Sequence, residues 1–125
     1  MAGAREAALT RTSDATVLQS LGELENALAT ARLAYRDMLE NANGYEFEPV
    51  VEHANRALIS KTIGTHGVIS TVHKALEVIG GGGLYRRHEL ERLLRDIQAA
   101  PFHPLPEKKQ LALTARVALG LPPIG

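Results

Sequence analysis

The residues of this sequence that could do chemistry are a run of glycines and a small set of histidines. Four consecutive glycines, residues 80–83, separate an apolar-periodic stretch that ends at Ile79 from an arginine-rich stretch that begins at Arg86. Glycines in series let backbone N–H groups approach a ligand closely, because no Cβ stands in the way. A helix that begins after them adds unpaired N–H groups and the positive end of its dipole. The run is therefore a candidate phosphate-binding site. The alternative interpretation is that Gly80 simply ends a helix and that the run is an ordinary helix–helix turn.

The glycine run is not one of the well-known nucleotide-binding motifs. A dinucleotide fingerprint follows a strand within a βαβ unit, whereas these glycines follow a helical pattern. A P-loop needs Lys and then Ser or Thr directly after its last glycine, and here Leu84 and Tyr85 follow. Any role in phosphate binding must therefore be of another type.

Among the five histidines, His103 is the candidate for a catalytic group. It lies in the sequence Pro-Phe-His-Pro at 101–104, where prolines hold the chain extended between two helical patterns. An imidazole held there can act as an acid or a base near neutral pH, although a lone loop histidine can equally be structural or simply exposed. His66 and His73 share a helix face, but no carboxylate completes a metal set between them. We predict no metal site, and no serine shows a base partner by motif.

The composition predicts a single all-helical domain. The chain has 125 residues, of which 45% are hydrophobic and 4% aromatic, with no Trp and no Cys. Leu, Ala, Val and Ile must fill the core, which suits helix-on-helix packing, and disulfides and thiolate metal sites are excluded. The sequence has 14 basic residues (Lys and Arg) and 14 acidic residues (Asp and Glu), so its net charge is zero. It therefore lacks the excess of basic residues that is typical of nucleic-acid-binding domains. No run of 18 apolar residues and no signal-peptide pattern occur, and we expect a cytoplasmic protein without a membrane segment.

Helical periodicity predicts four helices, two long and two short, packed antiparallel because the loops between them are short. In the first three helices, apolar residues recur at steps of three and four. The predicted helices lie at about 14–40, 49–79, 90–97 and 107–119. Residues 1–13 show no sustained period, and we interpret them as a flexible arm or as the end of an element that begins earlier. Residues 14–125 form the predicted bundle.

Two glycines stand in the middle of the second predicted helix. Gly64 and Gly67 lie one turn apart, and each costs a helix about 1 kcal/mol relative to Ala. Either another backbone approaches closely at this point, or the helix kinks there.

From residue 76 onward the sequence resembles the C-terminal helical domain of the acyl-CoA dehydrogenase family. The resemblance rests on residues 75–83, Ala-Leu-Glu-Val-Ile-Gly-Gly-Gly-Gly, and on residues 90–96, Leu-Glu-Arg-Leu-Leu-Arg-Asp. The family has Gln, two residues and Gly-Gly-x-Gly at the end of a long helix, and an Arg-Asp pair follows. The two preceding predicted helices match the family in length and order, so the resemblance covers nearly the whole chain.

The resemblance implies a cofactor and the residues that contact it. In the family, the Gly-Gly-x-Gly segment contacts the adenosine diphosphate half of FAD, commonly across a subunit interface. By position, Glu77, Gly80, Gly81 and Gly83 would contact FAD. Glu77 stands where Gln is usual, which puts a negative charge near a pyrophosphate, although Glu could accept from a ribose hydroxyl. The resemblance further implies an acyl-CoA substrate in the complete enzyme, a role in fatty acid metabolism, and a homo-oligomer or a partner chain that supplies the missing domains.

Three functions follow as hypotheses. In the first, the chain supplies part of the FAD site and the oligomer interface of an acyl-CoA α,β-dehydrogenase, and is inactive alone because the family's other domains are missing. In the second, it is a non-catalytic helical association module or a truncated product. In the third, it belongs to a flavin monooxygenase-like variant that uses His103, since residues 97–105 lack the Glu-Gly-Thr segment in which some family members carry their catalytic Glu.

Overall fold

A computed structural model describes residues 2–42, 50–80, 89–102 and 105–123, and these residues are mostly helical. The α-helices are α1 (Ala2–Leu9), α2 (Ala15–Ala42), α3 (Val51–Ile79), α4 (Glu89–Ile97) and α5 (Glu107–Ala118), and one 3-10 turn spans Ala100–Phe102. No strand occurs in the described ranges. The predicted all-α, antiparallel four-helix bundle is confirmed, and α2 to α5 are the four predicted helices. None of the helices within these ranges is long and apolar enough to cross a membrane.

The two long helices run antiparallel along their whole length. Near the loop that joins them, the side-chain amide of Asn41 donates to the carbonyl oxygen of His53 at 2.9 Å. Far from that loop, Glu23 of α2 pairs with Lys74 of α3. Residue numbers therefore run in opposite directions along α2 and α3. Helix α3 also contacts α1, α4, α5 and the 3-10 turn. Helix α3 is therefore the central helix, against which the other elements pack.

The close contact between α2 and α3 depends on Gly67 and Gly64. A Cβ at Gly67 would lie 2.9 Å from the backbone nitrogen of Ala31 and 3.0 Å from the carbonyl oxygen of Ala27. A Cβ at Gly64 would lie 3.2 Å from the Cβ of Ala34. Helix α3 continues through both positions without a break. Of the two explanations for these glycines, close approach of another backbone is therefore the one confirmed.

A small apolar core forms where α1, α2 and α3 meet. Its buried members are Ala4, Ala8, Val17, Leu24, Val72, Ala75 and Val78. Leu24 and Val78 are the largest side chains in it that are fully buried. Because its α3 members lie between positions 72 and 78, the core supports the end of α3 from which the glycine run departs.

Helix α1 replaces the flexible arm that we expected for residues 1–13. Ala, Glu and Arg dominate the segment and are good helix formers. Ala4 and Ala8 lie one turn apart and are 1% and 2% exposed against the core. Their small side chains give almost no hydropathy contrast, so the segment shows no apolar period although it is packed.

Helix α5 is held to α3 by a chain of polar side chains. The buried Gln110 accepts a hydrogen bond from the Thr62 hydroxyl at 2.9 Å and donates to the Thr114 hydroxyl at 2.7 Å. Thr114 donates in turn to the side-chain oxygen of Asn55 at 2.7 Å. No buried side-chain nitrogen or oxygen within the described ranges lacks a partner, so this polar contact is fully satisfied.

Candidate cofactor-binding segment at the end of helix α3

The predicted site begins at the carboxyl end of α3, where Gly80 ends the helix. Gly80 has φ 80° and ψ −159°, a region that only glycine adopts readily, and its N–H donates to the carbonyl oxygen of Leu76. A Cβ at Gly80 would meet no atom within 4 Å. Backbone conformation therefore requires glycine here, which confirms the helix-ending role.

Glu77 lies on the last turn of α3 within a bridge of charges. The Nζ atom of Lys74 lies 3.0 and 3.2 Å from the two carboxylate oxygens of Glu77, and it also contacts the carboxylate of Glu23 on α2. The hydrogen bond from Lys74 lowers the pKa of Glu23. The hydrogen bonds to Glu23 and Glu77 raise the pKa of Lys74. The Glu77 side chain is still 51% exposed, so it presents an ion-paired acceptor beside Gly80.

Arg11 holds the same end of α3 from the side. Its Nη1 atom donates to the carbonyl oxygen of Val78 at 3.1 Å. The last carbonyls of a helix have no amide partner within it, and a cation there also complements the negative end of the helix dipole. Sequence reasoning missed Arg11, because a contact between positions 67 apart leaves no periodic signal.

The structure brings two of the predicted site residues together at this helix end, Glu77 and Gly80. Gly81 and Gly83, predicted to contact FAD, and His103, predicted to be catalytic, lie outside the described residues. Among the other histidines, His66 places Nε2 3.0 Å from both carboxylate oxygens of Glu107. This contact joins α3 to α5. In the described part of the chain, no group of three or more His, Asp or Glu side chains is placed to hold a metal ion.

An apolar groove of about 280 Å³ lies between α2 and α3, next to α4 and the 3-10 turn. Tyr35, Met38 and Val68 line it and are 63%, 37% and 41% exposed. At one edge, the Nζ atom of Lys61 donates to the carbonyl oxygen of Ala100 at 3.1 Å. That bond holds the segment after α4 against α3, which gives a role to a lysine on the otherwise apolar side of α3.

Comparison with known families decides what kind of domain this is. The family model for the acyl-CoA dehydrogenase C-terminal domain matches residues 1–106. The chain belongs to this family. The match includes α1 and ends just before α5, so the acyl-CoA dehydrogenase resemblance seen from residue 76 onward extends through both long helices. No curated protein and no solved structure matches the chain.

Proposed function

We propose that this chain is the C-terminal helical domain of an acyl-CoA dehydrogenase-like, FAD-dependent oxidoreductase, and that it supplies part of the FAD site and an oligomer interface. The family match through α3 and the glycine run carries the proposal. In a complete enzyme of this kind, bound FAD supplies the hydride acceptor for α,β-dehydrogenation of an acyl-CoA. This chain's own contribution is to bind and orient the adenosine diphosphate half, through Glu77, Gly80, Gly81 and Gly83.

The described residues of the site suit the hydroxyl groups of the cofactor better than its phosphates. The carboxyl end of α3 carries the negative end of the helix dipole, and Glu77 and Glu23 add two carboxylates there. A half-exposed carboxylate accepts readily from ribose hydroxyls. Lys74 offsets part of the negative charge, so a pyrophosphate nearby meets less repulsion. We therefore assign Glu77 to a ribose hydroxyl and leave phosphate contacts to the glycines that follow Gly80.

Exposed apolar side chains support the interface part of the proposal. Tyr35, Met38 and Leu39 share one face of α2, and Leu39 is 55% exposed. Tyr35 and Met38, together with Val68, line the groove beside α3. Contiguous exposed apolar surface is typical of protein interaction sites. A second copy of the chain, or another domain of the enzyme, would cover it.

Added FAD tests the cofactor part directly. A ligand that binds only the folded form stabilises it by about 2.7 kcal/mol at a hundred times Kd, which raises Tm by several degrees for a domain of this size. We expect this rise for the native assembly and expect Gly81→Asp to abolish it.

Gly22→Asp is the matched control for this experiment. Gly22 lies on the exposed face of α2, and a Cβ there meets nothing within 4 Å. This variant should keep the FAD-induced rise in Tm. If FAD leaves the Tm of the native assembly unchanged, the cofactor proposal fails, and the non-catalytic association module becomes the better reading.

A further inference from the structure

We propose that Arg11 is a positioning residue for the FAD segment: by holding the last turn of α3, it fixes where the glycine run begins. The inference rests on the proposed function, because the segment that Arg11 would position is the one proposed to contact FAD.

The Arg11 guanidinium joins the end of α3 to the start of α2. Its Nη1 atom donates to the carbonyl oxygen of Val78, two residues before Gly80. Its Nη2 atom lies 3.9 Å from the carboxylate of Asp14. Asp14 caps α2, since its Oδ1 atom accepts from the N–H of Thr16 at 2.9 Å. Both ends of the contact are therefore ordered helix termini.

The backbone of Arg11 is held on both sides. Its N–H donates to the carbonyl oxygen of Ala8 at 2.9 Å, and its own carbonyl oxygen accepts from the N–H of Asp14 at 3.0 Å. Helix α1 before it is anchored by the buried Ala8 and by a two-point contact between Arg5 and Glu25, with Nη2 and Oε2 2.8 Å apart. A side chain that starts from a fixed backbone loses less conformational entropy when it binds.

The Val78 carbonyl is a sensitive point for this segment. Gly80 sets the direction in which the chain leaves α3, because its φ of 80° ends the helix. A last turn without a donor for its free carbonyls frays more easily. If the helix ended one residue earlier or later, the N–H group of Gly80 would move by about 1.5 Å along the axis. Misplacement on this scale is enough to weaken a ligand contact strongly.

Variants of two arginines separate positioning from general stability. Arg11→Met removes the donor to Val78 and keeps an apolar stem, and Arg11→Lys keeps one cationic donor. Arg56→Met is the matched control, because it removes the ion pair with Asp37 of α2 near the start of α3, at the opposite end of that helix from Gly80. The measurements, made on the native assembly, are the Kd for FAD from quenching of flavin fluorescence and the hydrogen-exchange rate of the Gly80 amide.

We expect Arg11→Met to raise the Kd for FAD about tenfold, the loss typical of one hydrogen bond from a charged donor. It should also hasten exchange at Gly80. Arg11→Lys should recover most of both effects. Arg56→Met should lower Tm while leaving the Kd within about twofold of the wild type. If Arg11→Met does not fold, Arg11→Gln takes its place with the same expectations.

Wild-type FAD affinity in Arg11→Met overturns the positioning role alone. An equal loss of affinity in Arg56→Met and Arg11→Met also overturns it, because the effect would then come from general destabilisation. A wild-type assembly that binds no FAD overturns the proposed function, and the positioning role with it. The two failures are distinguishable, since the second is seen before any variant is made.

Discussion

At the scale of single residues, Lys74 balances the charge of Glu77, which we propose to contact FAD. Its ammonium group contacts Glu77 and Glu23 together. We expect Lys74→Met to raise the Kd for FAD roughly threefold, the size of one exposed charge pair, because two carboxylates then face the cofactor without a cation. The double variant Lys74→Met/Glu77→Gln should recover affinity, since an amide still contacts a ribose hydroxyl. A titration in which Lys74→Met binds FAD as the wild type does would contradict this account of the site.

Asp37 gives the bundle a predicted dependence on pH. Hydrogen bonds from Arg56 and then from Ser60 lower its pKa in the folded state. Because the folded pKa lies below the unfolded value of about 3.9, the stabilisation is complete above about pH 5 and is lost as pH falls through the folded pKa. We expect Tm to fall over this acidic range in the wild type. Asp37→Asn should have a lower Tm at pH 7, and its Tm should fall less steeply as the pH is lowered. Equal profiles of Tm against pH in the two proteins would contradict this role of Asp37.

His103 lies outside the described residues, and its catalytic role remains a prediction. The flavin monooxygenase-like alternative requires a base in this region, and removal of a positioned acid–base group typically lowers turnover by about 10²–10⁴-fold. His103→Ala in an active assembly should then show a loss of this size in kcat. Unchanged turnover in His103→Ala would rule out the monooxygenase-like hypothesis and leave the dehydrogenase hypothesis.

At the scale of helices, the contact at Gly67 sets the spacing between α2 and α3. Gly67→Ala would drive a Cβ into the backbone of Ala31, and we expect a loss of about 1–3 kcal/mol in the free energy of unfolding. Gly22→Ala, at an open position of α2, should instead gain about 0.5–1 kcal/mol from the better helix propensity. Urea denaturation of both variants measures the contrast. A gain in both would mean that the helices are not in close contact at Gly67.

The sequence predicted the long helices well and the short first helix not at all, for a physical reason. Helices α2 and α3 carry Leu, Val and Ile at steps of three and four, so their apolar faces are visible as a period. Helix α1 packs through Ala4 and Ala8, which hardly differ in hydropathy from their neighbours. Helix α5 turns its polar Gln110 inward, and only tertiary structure shows that this residue meets Thr62.

The same limit applies to the candidate site. The glycine run and the resemblance predicted that Glu77 and Gly80 lie at a helix end, because both are local features of the chain. The cations that surround this end could not be predicted. Arg11 reaches Val78 from the other end of the chain, and Lys74 reaches across to Glu23 on another helix. Long-range pairs of this kind leave no signal in one sequence.

At the scale of the whole molecule, the family match and the bundle describe an acyl-CoA dehydrogenase C-terminal domain, and we propose that it contributes to a larger active site. Two surfaces would make this contribution: the end of α3 that carries Glu77 and Gly80, and the apolar groove beside Tyr35. The most direct test is native mass spectrometry, with a visible absorption spectrum, of the protein purified from its own cells. The account predicts an assembly heavier than 13.5 kDa that carries bound FAD. A colourless protein that remains flavin-free after incubation with FAD would contradict it.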